Sequence, residues 1–294
     1  MIPFRDNIPS RRTPLLTIAL IALNAAVFLA EAAMPEQSRE AMVFRFGVVP
    51  REFAIIGNGA EVVEVERQRL VRTPQGVQIV EEVRKYTLEG TVAGAAMPLV
   101  TSMFLHGGWM HLIGNMWFLW LFGDNVEDRL GRWRYLVLYL LSGLAAAAMH
   151  VAFNWNNTAP VIGASGAVAG VLGAYFITYP YARVQTLVPF FKLFWSVVEL
   201  PGFVFLGFWV LMQFFQGAAA ALLEWAQLGK HWFLMQFFQG AATLSGVSTE
   251  SVVWWAHIGG FVVGGVLMKS LASELPGRRG PTWTELREPD DEPT

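Results

Sequence analysis

The chain has 294 residues, of which 54% are hydrophobic and only 15% charged, with 12 Trp and 22 Phe. Soluble domains run at about 45–50% apolar and about 25% charged, so this composition excludes an ordinary water-soluble protein and points to a lipid-embedded one. A net charge of -2 from 21 basic and 23 acidic residues leaves no footprint for nucleic acid, and the lack of cysteine excludes disulfides, thiolate metal sites and a Cys nucleophile.

A bilayer core needs about 20 apolar residues per helix. Stretches free of Asp, Glu, Lys and Arg predict six spans, at 13–34, 99–122, 135–154, 161–180, 200–223 and 251–271, the third and fourth being divided by the polar turn Asn154–Pro160. An N-terminal segment, 1–12, precedes them. Its end, Ser10–Leu16, is similar to a twin-arginine signal, but the 18-residue uncharged run that follows exceeds the usual signal core of about 7–15 residues, so a retained first helix is expected.

Between spans 1 and 2 lies an insertion of about 35–96, in which Val62–Arg72 and Val77–Thr87 flank Thr73-Pro-Gln-Gly76 and predict a small β-hairpin. Basic residues mark the cytoplasmic side of short loops. Arg5, Arg11 and Arg12 precede span 1, Arg129, Arg132 and Arg134 join spans 2 and 3, Arg183 and Lys192 join spans 4 and 5, and Lys269, Arg278, Arg279 and Arg287 follow span 6. Both termini are therefore expected in the cytoplasm. Leu211–Ala219 recurs identically as Leu234–Ala242, a duplicated segment of about 209–242, and the tail 273–294 reads as disordered.

Polar groups in hydrocarbon are costly and mark functional positions. His111 and Asn115 lie four residues apart and share one face of span 2; Ser165 sits in Gly163-Ala-Ser-Gly-Ala-Val-Ala-Gly170, and His257 in Trp254-Trp-Ala-His-Ile-Gly-Gly260. Counting from the predicted helix starts puts Ser165 about four residues and His257 about six residues deep, roughly 6 and 9 Å. All four groups then share one outer layer. Gly166 and Gly170 on span 4, with Gly260 and Gly264 on span 6, provide small faces on which two membrane helices approach closely.

This set has the parts of a Ser–His dyad. Imidazole activates the hydroxyl near neutral pH, and Asn115 with His111 offers donors to an oxyanion. A carboxylate-assisted triad is not expected, because the aspartates, Asp6, Asp124, Asp128, Asp290 and Asp291, all fall on the predicted cytoplasmic side. The blander readings are packing for Ser165 and internally satisfied histidines. His106 is expected to cap a helix entrance or meet water, His150 to be structural and His231 to lie in a loop.

At these residues the chain resembles the rhomboid family of intramembrane serine proteases. The resemblance is carried by Met1–Pro9, by Thr101–Phe118 with its His106-Gly-Gly-Trp-Met-His111 run, by Gly163-Ala-Ser-Gly166 and by Ala256-His-Ile-Gly-Gly260. It implies an all-α, six-transmembrane-helix bundle over 13–272, with Ser165 as nucleophile, His257 as general base and then acid, and His111 and Asn115 in the oxyanion site. It also implies transmembrane protein substrates in the lipid bilayer, no cofactor and no metal, and a bacterial inner-membrane location. Alternatives are a catalytically silent relative that binds membrane clients, and a transporter using the buried His and Asn as a polar path. Some members place an aromatic residue one turn after the serine, stacked on the histidine. Here that position is Ala169, so the support of the His257 ring is left open.

Overall fold

The computed structural model describes residues 1–73, 76–190, 194–226 and 254–273. The second copy of the repeat, His231 and the tail from 274 lie outside them. In chain order the elements are β1 (Ile2–Asp6), α1 (Leu15–Ala32), α2 (Glu36–Phe46), α3 (Pro50–Ala54), β2 (Glu61–Thr73), β3 (Gly76–Leu88), α4 (Val92–Ala96), α5 (Pro98–Thr101), a 3-10 turn, α6 (Trp109–Leu130), α7 (Arg132–Phe153), α8 (Ser165–Thr178), β4 (Arg183–Phe190), β5 (Phe194–Pro201), α9 (Gly202–Ala226) and α10 (Trp254–Ser273).

Three of the described helices, α1, α7 and α10, are long and apolar enough to cross a membrane. Helix α6 has the length, but Asp124, Glu127, Asp128 and Arg129 fill its last turns. Helix α8, at 14 residues, measures about 21 Å against a hydrocarbon core of about 30 Å. The expected span 99–122 is broken at Leu105–Gly108, so its helix starts at Trp109 and runs on to Leu130. The expected span 161–180 starts as a helix only at Ser165.

The bundle core is built from α6, α7 and α8, with Leu119, Phe122, Tyr135, Leu138, Tyr139, Leu172 and Tyr175 fully buried. Helix α8 sits at its centre: from Gly166 to Tyr175 every residue is buried, which explains its near-continuous Gly/Ala/Val composition. The glycine faces meet as expected. A β-carbon on Gly260 would lie 2.1 Å from the Gly166 carbonyl oxygen, and one on Gly264 would lie 2.0 Å from that of Gly170. Helices α8 and α10 thus run parallel in backbone contact.

Helix α1 is fastened to α6 by a buried carboxylate. Glu127 accepts from the backbone N–H groups of Leu16 (3.0 Å) and Thr17 (2.7 Å) and from Thr17 Oγ1 (2.8 Å). These are amides that the first turn of a helix leaves without partners, and negative charge there complements the helix dipole.

The loop between spans 4 and 5 is an antiparallel hairpin, β4–β5, and the N-terminal segment adds β1 to it in the order β1-β4-β5. The alternation Arg183-Val-Gln-Thr-Leu-Val188 carries the signal, with Val184 and Thr186 fully buried. Asp6 then reaches into the bundle, accepting from Tyr175 Oη (2.5 Å) and Asn125 Nδ2 (3.0 Å).

In the 35–96 insertion, β2 and β3 pair in register from Glu61↔Leu88 to Thr73↔Gly76. Val49, Ile55, Val63 and Leu88 form a small core of their own. Phe44 of α2 stacks on Tyr86 at 3.8 Å, and Glu40 pairs with Arg84. This unit grips the stretch leading to Ser165: Val48 and Val161 exchange both backbone hydrogen bonds (2.9 and 2.8 Å), and Arg51 N donates to the Asn157 carbonyl at 2.9 Å.

Candidate active site

Ser165 is the first residue of α8 and not a turn inside it. The Val48–Val161 bridge pins the chain four residues earlier, and Gly163 adopts φ +127° while its N–H donates to the Ser102 carbonyl at 2.8 Å. L side chains rarely take that φ. The depth counted from sequence is therefore too great by about a turn. The parallel contact of α8 with α10 sets His257, fourth residue of α10, level with Gly163, roughly 3 Å along the axis from Ser165 by helix rise.

His111 and Asn115, on the first two turns of α6, converge on the same loop. A β-carbon on Gly163 would stand 2.7 Å from His111 Cε1 and Nε2 and 3.8 Å from Asn115 Nδ2. The Gly107 N–H approaches His111 Nδ1 at 3.5 Å, a long contact that favours the tautomer with the proton on Nε2, the nitrogen nearest Gly163. Asn115 is buried and its Nδ2 has no partner. Two side-chain donors are thus aimed at the space beside the loop that delivers the serine.

His257 Nε2 is likewise buried without a partner, so it is not hydrogen-bonded to Ser165. Hydrogen bonds of this kind are often long before a substrate is bound and tighten in the complex. Its Nδ1 lies 2.7 Å from Gln213 Oε1, and its ring lies 5.8 Å from that of Trp209. Both neighbours come from α9, one turn apart. Sequence reading missed them, although Gln213 is the one residue with a polar carboxamide, hydroxyl or charge between Gly202 and Phe215, which is the usual sign of function in an apolar helix.

A cavity of about 30 Å³ opens beside the serine, lined among others by Ser165, Ser102, His150, Gly163 and Ala256. That volume holds a water molecule, which needs about 10–15 Å³, and His150 Nε2 has no partner. His106 is buried with both ring nitrogens unpartnered, edge-on to His111 at 5.1 Å, and its backbone N–H donates to the buried Glu31 at 3.3 Å. Glu31 is a carboxylate near the layer that the sequence does not place there, and its Oε2 accepts from this backbone amide.

In comparisons with known proteins, residues 93–274 match the rhomboid domain. Presenilin-associated rhomboid-like protein A, mitochondrial, of Danio rerio is 31% identical over 104 residues, covering 35% of this chain and 27% of that protein. Rhomboid protein 1, mitochondrial, of Saccharomyces cerevisiae is 30% identical over 133 residues (43% and 35%). Rhomboid-like protein 11, chloroplastic, of Arabidopsis thaliana is 29% identical over 180 residues (60% and 52%). The chain spans about a quarter to a half of the length of the curated relatives it matches. Since the matched domain takes in more than half of the chain and holds the glycine-faced helices with all four polar residues between them, this membrane protein belongs to the rhomboid family.

Proposed function

We propose that the protein is an intramembrane serine endopeptidase that hydrolyses a peptide bond in or near a transmembrane segment of other membrane proteins. The observation that carries this reading is the convergence of the His111 ring and the Asn115 amide on Gly163, two residues before Ser165. His257 Nε2 takes the proton of Ser165 Oγ, and Oγ attacks the substrate carbonyl. The oxyanion accepts from His111 Nε2–H and Asn115 Nδ2–H, fixed donors that need no reorganisation as charge develops. His257 then protonates the leaving amine, which departs and leaves an acyl-enzyme. Water, activated by the same imidazole, releases the acid and restores the serine.

The reading includes six bilayer crossings, α1, α6, α7, α8, α9 and α10, with both termini in the cytoplasm. The names of the relatives place them in mitochondria and chloroplasts, which speaks against the bacterial inner membrane expected from the sequence and leaves the compartment at an integral membrane. A second reading, a silent relative that binds membrane clients, draws on the unmade hydrogen bond between Ser165 and His257.

Purified protein in lipid is treated with a serine-directed fluorophosphonate and, separately, with a panel of transmembrane substrates. Modification of Ser165 that is lost in His257→Ala, and cleavage that is lost in Ser165→Ala, is the expected result. An inert Ser165 that still binds the panel would establish the silent relative instead.

A further inference from the structure

We infer that Gln213 is the positioning residue of the base, holding His257 in the one tautomer that can deprotonate Ser165; the inference rests on the endopeptidase reading for its consequence but not for its geometry. An amide oxygen only accepts. With Gln213 Oε1 2.7 Å from His257 Nδ1, Nδ1 carries the ring proton, and the lone pair sits on Nε2, the nitrogen that is buried and unpartnered. A neutral imidazole has one donor and one acceptor nitrogen, and the hydrogen bond made by one decides the role of the other.

Among the described residues, α8 and α10 offer His257 no competing hydrogen-bond partner. Ala169, one turn after the serine, is fully buried, and its Cβ would lie 3.5 Å from a β-carbon on Gly260. The close approach of α8 and α10 thus leaves no room there for a stacking ring. Support comes from α9 instead: Trp209 lies 5.8 Å away at a 38° tilt, and Gln213 is its neighbour one turn on, itself buried. Asp and Glu are absent from α8, and the described part of α10 has neither before Ser273, so a carboxamide takes the orienting place a carboxylate holds in a triad. Being neutral, it fixes the ring while stabilising the imidazolium less than a carboxylate would, which sets the behaviour of its variants apart from those of a carboxylate.

The test reads the tautomer directly and the chemistry separately. Protein with isotopically labelled histidine is examined in nanodiscs by nitrogen NMR, the His257 signals being assigned with His257→Ala. Wild type shows the Nδ1–H form. Gln213→Leu, and Gln213→Met as a second apolar replacement closer in length, lose it. Fluorophosphonate labelling, which forms an Oγ–P bond at Ser165 and expels fluoride, slows in both by roughly tenfold to a hundredfold, the scale of a misplaced catalytic group, with the loss in kcat and not in KM for a cleaved substrate. Gln213→Glu keeps the acceptor and restores labelling, while its acid limb moves to higher pH because a carboxylate favours the protonated ring. Gln236→Leu, in the second copy of the repeat, changes nothing. An unaltered tautomer and labelling rate in both apolar variants, or an effect that follows Gln236 instead, would overturn the inference. A wild type with the Nδ1–H tautomer, lost in Gln213→Leu, but with Ser165 inert would uphold the positioning and sink the endopeptidase reading alone.

Discussion

Gly166 presents its carbonyl oxygen to Gly260 at a point only 2.1 Å from where a β-carbon of residue 260 would stand. No rotamer relieves that overlap, because both atoms belong to the backbone or its first branch. Gly260→Ala must therefore push α10 off α8 and carry His257 away from Ser165. The expected cost is about 1–3 kcal/mol of stability, read as a lower Tm in micelles, together with a larger loss of labelling at Ser165. Gly114→Ala serves as the contrast, since nothing lies within 4 Å of its added carbon; it is expected to be neutral or mildly stabilising.

Glu127 answers for three donors at the start of α1, two of them backbone amides. Glu127→Ala leaves the two amides without an acceptor, while Thr17 Oγ1 keeps Tyr135 Oη at 3.3 Å. A loss of about 2–3 kcal/mol follows, measured by thermal or denaturant unfolding, and Thr17→Ala, which removes only one of the three bonds, is expected to cost less. Equal stability of Glu127→Ala and wild type would show that α1 is held by its apolar face alone.

Much of the site was legible because its members are polar side chains in apolar runs: His111, Asn115, Ser165 and His257 stand out wherever hydrocarbon is the expected solvent. The glycine faces were legible for the complementary reason, that a missing side chain permits a backbone contact. Other features were hidden by their local context. Gln213 lies inside a repeated string, which masks it as an isolated carboxamide. Helix α8 starts later than its apolar run suggests because Val161 is bridged to Val48 and Gly163 takes a φ of +127°. Strands β1, β4 and β5 are hard to see in sequence because they are short and flanked by charge, and the pairing of Ile2–Asp6 with Val184–Leu187 joins segments distant in the chain.

The N-terminal strand is held by a carboxylate whose protonation depends on pH. Burial lifts the Asp6 carboxyl to about 6, the hydrogen bond from Tyr175 draws it down, and nearby Asp124 raises it. A carboxyl whose folded value exceeds its unfolded one favours the folded form when protonated. That contribution is complete below about 3.8 and is lost as pH rises through about 6. Hydrogen exchange of Ile2–Asp6 is therefore expected to be slower at pH 5 than at pH 7.5 after correction for intrinsic rates. Asp6→Asn should flatten the difference; a profile that Asp6→Asn leaves unchanged would assign the pH dependence elsewhere.

Gly163 is the sharpest test of how the proposed oxyanion donors, His111 and Asn115, are arranged. Any side chain there meets two obstacles at once, a φ of +127° and the His111 ring 2.7 Å from the new carbon. Gly163→Ala is expected to displace the His111 imidazole or the Ser165 loop while leaving the glycine contacts of α8 with α10 in place, because those run from Gly166 onward. Activity should then fall by about 10²–10³, the scale of losing one oxyanion donor, with a Tm change much smaller than that of Gly260→Ala. Asn115→Ala should give a similar loss of kcat by removing the second donor without touching the loop. If the two substitutions combined cost no more than either alone, His111 and Asn115 act as one unit on the oxyanion. Full activity in both single variants would place the oxyanion away from Gly163 and remove the observation on which the hydrolytic reading stands.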